Sequence, residues 1–411
     1  MSRLTLGFVL FGTLQAQTLT LDDLENMALR NNPSLGEASA RVRMAAGYFQ
    51  QAGLYPNPTA GYEGEQIRGG EQRGGEQGFF VTQSIVLGGK LGAAKRVAGW
   101  EQAEAETSSA AQRLRVRNNV RVLFYQTLAA QRLVDVRRDL AKLARDAAAT
   151  SHQLGNIGQA DRPDLLQAEV EAEQAELNVA TAVQLQQAVW RTLAVTVGHP
   201  DLPPARLAGT LENYPDLDLQ QSLAAALRDS PVVKLARQDL ERTEASVVQA
   251  RKTPVPDLLI RGGLEQNFEP RGPGQRPIGL QGIAEIGVQL PLFNRNQGNI
   301  EAARASVDRA KFELSRTQLE LRRQLTMLFR DYAIARATAE RYKTEMLPRA
   351  QKAYDLYRNN YQAMAAAYPQ VLLAQRTLFQ LQADYVQALE RVWESALSIQ
   401  GFGLMDGLAE P

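Results

Sequence analysis

Apolar residues return along this chain at two different periods, and the switch between them predicts its elements. Between about residues 90 and 153, Val116, Val120, Leu123, Leu128, Leu133, Leu140 and Leu143 recur at threes, fours and fives, with one interval of seven. Alanines fill the spaces between them. That spacing describes a packed helical seam rather than a strict heptad. A second stretch of the same kind covers about 297–361. Shorter helices are predicted over about 21–53 and 219–251, and a helix of about 35 residues follows each of two breaks, at 154–163 and 362–369. A helix of about 64 residues is roughly 96 Å long at 1.5 Å per residue. Laid end to end, the two shorter helices of each half match that length and can pair with it throughout.

Four short segments follow a period of two instead: 59–66 with 78–87, and 257–266 with 282–290, each pair joined by a Gly-rich loop. Ala60 and Tyr62 share one face, and Glu63 and Glu65 the other. In the second pair Leu258 and Ile260 fall on the apolar face and Arg261 joins the charged one. Prolines at 56, 58, 254 and 256 end the preceding helices, because proline cannot continue the hydrogen-bond ladder.

The same order of elements occurs twice. Residues 20–58 lie over 218–256 without a gap, at an offset of 198: Leu21, Ala28, Leu29, Arg30 and Pro33 match Leu219, Ala226, Leu227, Arg228 and Pro231. Gln83, Pro163, Leu166 and Ala168 match Gln289, Pro369, Leu372 and Ala374 at an offset of 206. The change implies about eight extra residues in the second copy, inside the Gly/Pro-rich loop 267–282. The copies are expected to occupy 17–209 and 210–411.

An apolar face outside and a charged face inside suit a water-filled membrane barrel, and about 9–11 tilted residues suffice to cross. A soluble hairpin alternates equally well. Four strands cannot close a barrel, and open edges cannot remain in lipid, so the membrane reading requires oligomerisation. Three chains give twelve strands.

Composition narrows the alternatives. The chain has 46 basic and 45 acidic residues, so no basic field points to nucleic acid, and it has no cysteine. Disulfides, thiol catalysis and cysteine-ligated zinc are excluded. Arg3 before the apolar run 4–14, with Ala16 after it, predicts a secretory leader over 1–16. His152 and His199 lack a ligand motif, and Met27, Met44, Met327 and Met346 sit in helical patterns that read as core. Gly69, Gly70, Gly74 and Gly75 are followed by no Gly-Lys-Ser/Thr. No catalytic constellation stands out, and no enzyme is expected.

Helix, hairpin, long helix, break and helix, carried twice, resembles the TolC family of outer-membrane efflux proteins across essentially the whole chain after the leader. The segment Gln289-Leu-Pro-Leu-Phe-Asn-Arg-Asn-Gln-Gly-Asn-Ile300 is similar to the heavy-metal, CzcC-like branch of that family, and residues 83–90 fill its place in the first copy. The resemblance implies a mainly α fold with a small membrane β-barrel portion: a trimeric barrel continued by an α-helical tunnel. It implies a passive outer-membrane conduit, in a Gram-negative-type bacterium, for divalent heavy-metal cations. Its partners would be two further chains, a periplasmic adaptor and an inner-membrane resistance-nodulation-division pump, with outer-membrane lipid around it. No cofactor is implied. A multidrug or type I secretion exit is the alternative within the class. A soluble coiled-coil scaffold is the alternative outside it, which explains the helices but not the hairpins or the leader.

By the same resemblance the breaks form the periplasmic tip. Ile157, Gly158, Gln159, Met364 and Ala365 are then adaptor contacts, while Asp164 and Gln370 stand at the pore constriction. Ile157-Gly158 resembles the family's Val-Gly element, and Asp164 its tip aspartate. The second tip departs from the pattern: Met364, Ala365 and Ala366 replace glycine and a gating arginine, and Gln370 and Leu373 replace acidic ring residues. Asp164 reads equally as a charge at a helix N-terminus. Glu63, Glu65 and Arg261 would face the barrel lumen.

Overall fold

The computed structural model describes residues 18–69, 72–73, 75–156, 161–270, 272, 274, 276–362 and 368–409. The leader expected over 1–16 lies outside them. Helix α1 (Leu21–Asn31) starts at Thr20, whose Oγ1 accepts from the Asp23 N–H while the Asp23 carboxylate accepts from the Thr20 N–H. This reciprocal pair satisfies two donors at once. The Thr20 hydroxyl, which donates to the Asp23 carboxylate at 2.6 Å, and then the Thr20 N–H hold this exposed carboxyl below its ordinary pKa.

The single helix expected over 21–53 is two helices, because Pro33 interrupts it. Proline has no N–H to donate, and its ring crowds the carbonyl four residues back. The Asn32 N–H closes α1 on the Ala28 carbonyl at 2.9 Å, and the Asn32 Oδ1 accepts from the Ser34 N–H at 3.0 Å to open α2 (Pro33–Ala52). The stretch expected over 219–251 breaks in the same way at Ser230, between α5 (Leu219–Asp229) and α6 (Pro231–Lys252).

Helix α3 (Lys90–Asn156) is unbroken for 67 residues, about 100 Å. It follows Gly88 and Gly89, both at φ +67. A side chain on Gly88 would strike Val255. Pro163 lies in the first turn of α4 (Arg162–Thr196) rather than closing the break, since the N–H groups there have no intrahelical partner. In the second copy α7 (Gln297–Arg341) and α8 (Leu347–Gln362) are separated by a π-helical turn, Tyr342–Met346, and α9 (Tyr368–Gln400) follows.

The strands are β1 (Thr59–Glu65), β2 (Arg68–Gly69), β3 (Gln72–Arg73), β4 (Glu76–Ile85), β5 (Leu258–Pro270) and β6 (Pro277–Val288). β2 and β3 form a small ribbon inside the first hairpin's loop. The other four make one antiparallel sheet in the order β1-β4-β5-β6. β5 and β6 overrun the loop expected over 267–282, so the extra residues of the second copy lengthen its strands. Asn267 makes this extension possible, because its amide bridges Glu76 and Gln281 at 2.6 and 3.2 Å.

The chain divides into two compact units, and each draws on both copies. The first comprises the chain to Glu37, Ala110–Ser230 and the chain from Glu320. Its core joins Leu24 and Ala28 to Val116, Val120, Leu123 and Phe124, and to Trp190, Leu193, Val197 and Leu207. The seam residues Val116, Val120 and Leu123 are therefore buried as their period implies. Further along α3, Ala141 and Ala144 pack on Ala172 and Ala175, where small side chains let two backbones approach. A buried polar cluster fixes the C-terminal segment: Gln112 Nε2 donates to Ser34 Oγ at 2.8 Å, Ser34 Oγ to the Gly407 carbonyl at 3.1 Å, and Asn32 Nδ2 to the Thr196 carbonyl at 2.9 Å. The second unit, Ala38–Ser109 with Pro231–Leu319, holds the sheet. There Lys90 pairs with Asp257 at 2.7 Å and Arg242 with Glu104 at 3.1 Å.

Helix α4 ends in a Schellman turn. Gly198, at φ +75, donates to Val195 O, and His199 donates to Ala194 O. A Cβ at Gly198 would lie 2.7 Å from the backbone of Asn31. Gly198→Ala is therefore expected to destabilise the fold by about 1–3 kcal/mol. Gly36→Ala, in open space within α2, should be neutral or stabilising. Thermal melts of both variants check this, and equal melting temperatures would contradict it.

Candidate functional site

The register of the sheet sorts its side chains into two chemical faces. Tyr62 faces Phe79, Phe79 faces Leu264, Ile260 faces Ile286, and Leu258 faces Val288. With Ala60, Val81 and Leu280 they form an apolar surface on which Tyr62, Phe79, Val81, Leu264, Leu280 and Ile286 are exposed. Tyr62 and Phe79 meet edge to face with centroids 5.6 Å apart, and the Tyr62 hydroxyl donates to Gln77 Oε1 at 3.1 Å.

The opposite face carries Glu63, Glu65, Glu76, Glu265 and Glu285, with Arg261 among them. Arg261 spans β4. Its guanidinium pairs with Glu63 on β1, lies 3.9 Å from Glu285 on β6, and covers the Phe80 ring at 4.3 Å. Phe80 fits there because its direct neighbours are Gly61 and Gly263. A Cβ on Gly61 would lie 2.6 Å from the ring. Five carboxylates against one guanidinium leave this face acidic.

The residues expected at the tip are placed only in part. Ile157, Gly158, Gln159, Met364 and Ala365 lie outside the described residues. Asp164 and Gln370 are each the third residue of a returning helix, α4 and α9, and Gln370 is exposed. Beside this break the structure pairs His152 Nε2 with Glu169 Oε1 at 2.8 Å, and Arg145 with Glu176 at 3.1 Å, joining α3 to α4. Sequence spacing gave no sign of the histidine pair, which is formed across the break. Among the described residues no three His, Asp or Glu side chains converge as a metal site. No described helix is long and apolar enough to cross a membrane.

Within the first unit α7 and α9 border an open hollow of about 630 Å³ lined by Asp331, Ile334, Asp384, Arg391 and Glu394 among others. Helix α9 also carries Glu390, whose carboxyl is pushed up to about 7, first by burial and then by Glu394. Burial likewise raises Tyr385 to about 12.

Comparison with known proteins gives a consistent picture. The model of the family described as outer membrane efflux protein matches twice, over residues 24–199 and 223–401. The cobalt-zinc-cadmium resistance protein CzcC of Cupriavidus metallidurans is 29% identical over 384 residues, 93% of this chain and 90% of that protein. The crystal structure of the outer membrane protein VceC of Vibrio cholerae matches at a TM-score of 0.74 with 19% identity, covering 94% of this chain and 96% of the other. CusC, whose crystal structures address transmembrane channel formation, matches at 0.76 with 17% identity, covering 93% and 92%.

Glu390 supplies a test of the helical region. A carboxyl raised from 4.5 to about 7 on folding contributes stability that is complete below the lower value and is lost as pH rises through the upper one. Glu390→Gln keeps the neutral shape. It should melt above the parent at pH 8, with the gap closing by pH 5. A gap independent of pH would contradict this.

Proposed function

We propose a role on one premise: the chain belongs to the outer membrane efflux protein family, and is an outer-membrane efflux channel component. In our reading it is one of three identical chains whose four-stranded sheets close a twelve-stranded barrel. The single observation that carries this is the two-faced sheet with free edges at β1 and β6. Its apolar face suits lipid, its acidic face suits a water-filled lumen, and its edges require neighbours. Glu63, Glu65 and Arg261 then line the lumen.

The conducted substrate in this reading is a divalent heavy-metal cation. The likeness to a cobalt-zinc-cadmium resistance protein supports that choice, and so does the acidic face. Metal recognition then belongs upstream, to an inner-membrane pump and a periplasmic adaptor. A duct that bound its ion tightly would release it slowly. The adaptor would meet the segments joining α3 to α4 and α8 to α9, which hold Ile157, Gly158, Gln159, Met364 and Ala365. Asp164 and Gln370, at matched positions of α4 and α9, would stand at the constriction. Asp164 would both charge the pore and suit the helix N-terminus. A leader at 1–16 would deliver the chain for export.

Deleting the gene should sensitise cells to zinc, cobalt or cadmium. Sensitivity to dyes and detergents with normal metal tolerance would assign the channel to drugs instead. Native mass spectrometry in detergent should show three chains, and a stable monomer that inserts into bilayers would refute the assembly.

Arg261 offers a sharper test of the lumen. Arg261→Gln removes the central positive charge of the acidic face, so the preference for potassium over chloride in planar bilayers should rise about twofold or more. An unchanged ratio would place this face away from the ion path.

A further inference from the structure

The outer strands of the sheet, β1 and β6, end on bare edges, and the internal repeat fixes how those edges fit each other. Ala60 faces Val81 in the first hairpin, and Leu258 faces Val288 in the second. These two pairs occupy the same place, so β5 lies 198 residues after β1 and β6 lies 207 after β4. The joint between the hairpins has its own rule. β4 meets β5 so that partner numbers total 343, from Glu76 with Asn267 to Ile85 with Leu258. A closed ring of hairpins of one geometry repeats this joint where β6 of one copy meets β1 of the next. Moving β4 forward by 207 and β5 back by 198 carries the total from 343 to 352. Leu290 then stands opposite Tyr62 of the next copy, Gln289 opposite its Glu63, and Val288 opposite its Gly64.

The chemistry of the two edges favours the same register. A slip by one residue would turn every side chain of β6 to the wrong face, so only totals two away compete. A total of 350 sets Glu285 directly against Glu65 of the next copy, and like charges so placed are destabilising. A total of 354 sets Val288, the last residue of β6, against Gln66, beyond the end of β1. The length of β6 fits as well. In β4, residues 83–85 stay in the sheet although β1 reaches only Thr82, because β5 holds them. Their counterparts are Leu290, Pro291 and Leu292, and the strand that would hold those is β1 of another copy. The single chain therefore ends β6 at Val288, and the Leu292 N–H turns back to the Leu290 carbonyl at 3.0 Å.

We infer that β6 of each copy pairs with β1 of the next at a total of 352, and that Gln289 thereby completes the charged cluster of its neighbour. Glu63, paired with Arg261 in its own chain, gains the Gln289 amide as a donor on its other flank. The partner is a second copy of this chain, and each joint supplies the amide that one chain alone lacks. The register rests on reading the sheet as one third of a barrel.

The chain has no cysteine, so pairs of introduced cysteines report the register directly. Leu290→Cys with Tyr62→Cys tests a total of 352, Leu290→Cys with Ala60→Cys tests 350, and Gln289→Cys with Glu65→Cys tests 354. Within one chain β1 and β6 are three strands apart, about 14 Å, too far for a disulfide, so any bond joins two copies. Under copper-phenanthroline the 62/290 variant should form covalent trimers on a non-reducing gel about fivefold faster than the other two, since disulfide geometry is narrow. Faster bonding at 60/290 or 65/289 would overturn the register and leave the ring standing. No bond in any variant, in a protein that native mass spectrometry shows as three chains, would overturn the edge-to-edge joint. A protein that stays monomeric would take down the barrel reading and the register together. Gln289→Glu gives a readout without cysteine. It sets a carboxylate against Glu63 of the next copy, so trimers in detergent should dissociate at a lower temperature, and an unchanged temperature would overturn the Gln289 contact.

Discussion

A peptide group in hydrocarbon has no water to bond, and most of this chain's organisation follows from that fact. The sheet pairs β1 through β4 and β5 to β6 and then stops, which leaves a row of amide and carbonyl groups at each end. In water such an edge is tolerable; in lipid each unpaired group costs several kcal/mol. A chain carrying this sheet in a membrane is therefore incomplete alone. The joining of both hairpins into one continuous sheet answers the need to keep strands paired.

The helical unit is held by other means. Where α3 meets α1 and α4, large side chains such as Phe124, Leu193 and Trp190 fill the core. Nearer the break, alanines take over and allow close backbone contact. On the other side of this core from the alanines, the buried polar cluster of Asn32, Ser34 and Gln112 bonds the C-terminal segment. Buried amides of this kind contribute little net energy when paired and are costly when unpaired, so they fix one arrangement rather than deepen the core.

Much of this was legible in the sequence, and the parts that were not share a cause. Alternation placed Tyr62 with Ile260, and Glu63 with Arg261, on the correct faces because strand geometry has a strict period. Pro33 and Pro231 carried the helix breaks openly, yet the apolar period runs across both and conceals them. The longer β5 and β6 depend on Asn267 reaching partners on two other strands. The His152–Glu169 contact depends on two helices folding back together. Neither can be read from local spacing. The π-helical turn at Tyr342–Met346 leaves no local pattern either. Glu390 looks like any helix-surface glutamate until its neighbours are in place.

The pairing of Glu63 with Arg261 bears on the history of the chain. These residues occupy the same position of the two copies, 198 apart, and they reach each other across β4. In an ancestor built from single, identical hairpins, one residue type would have met its own kind at this point, acid against acid or base against base. Opposite signs at these matched positions turn a like-charge repulsion into an attraction, and the two halves are therefore not interchangeable at this pair. A sheet of equivalent hairpins would repeat its chemistry every two strands; this one repeats it only every four.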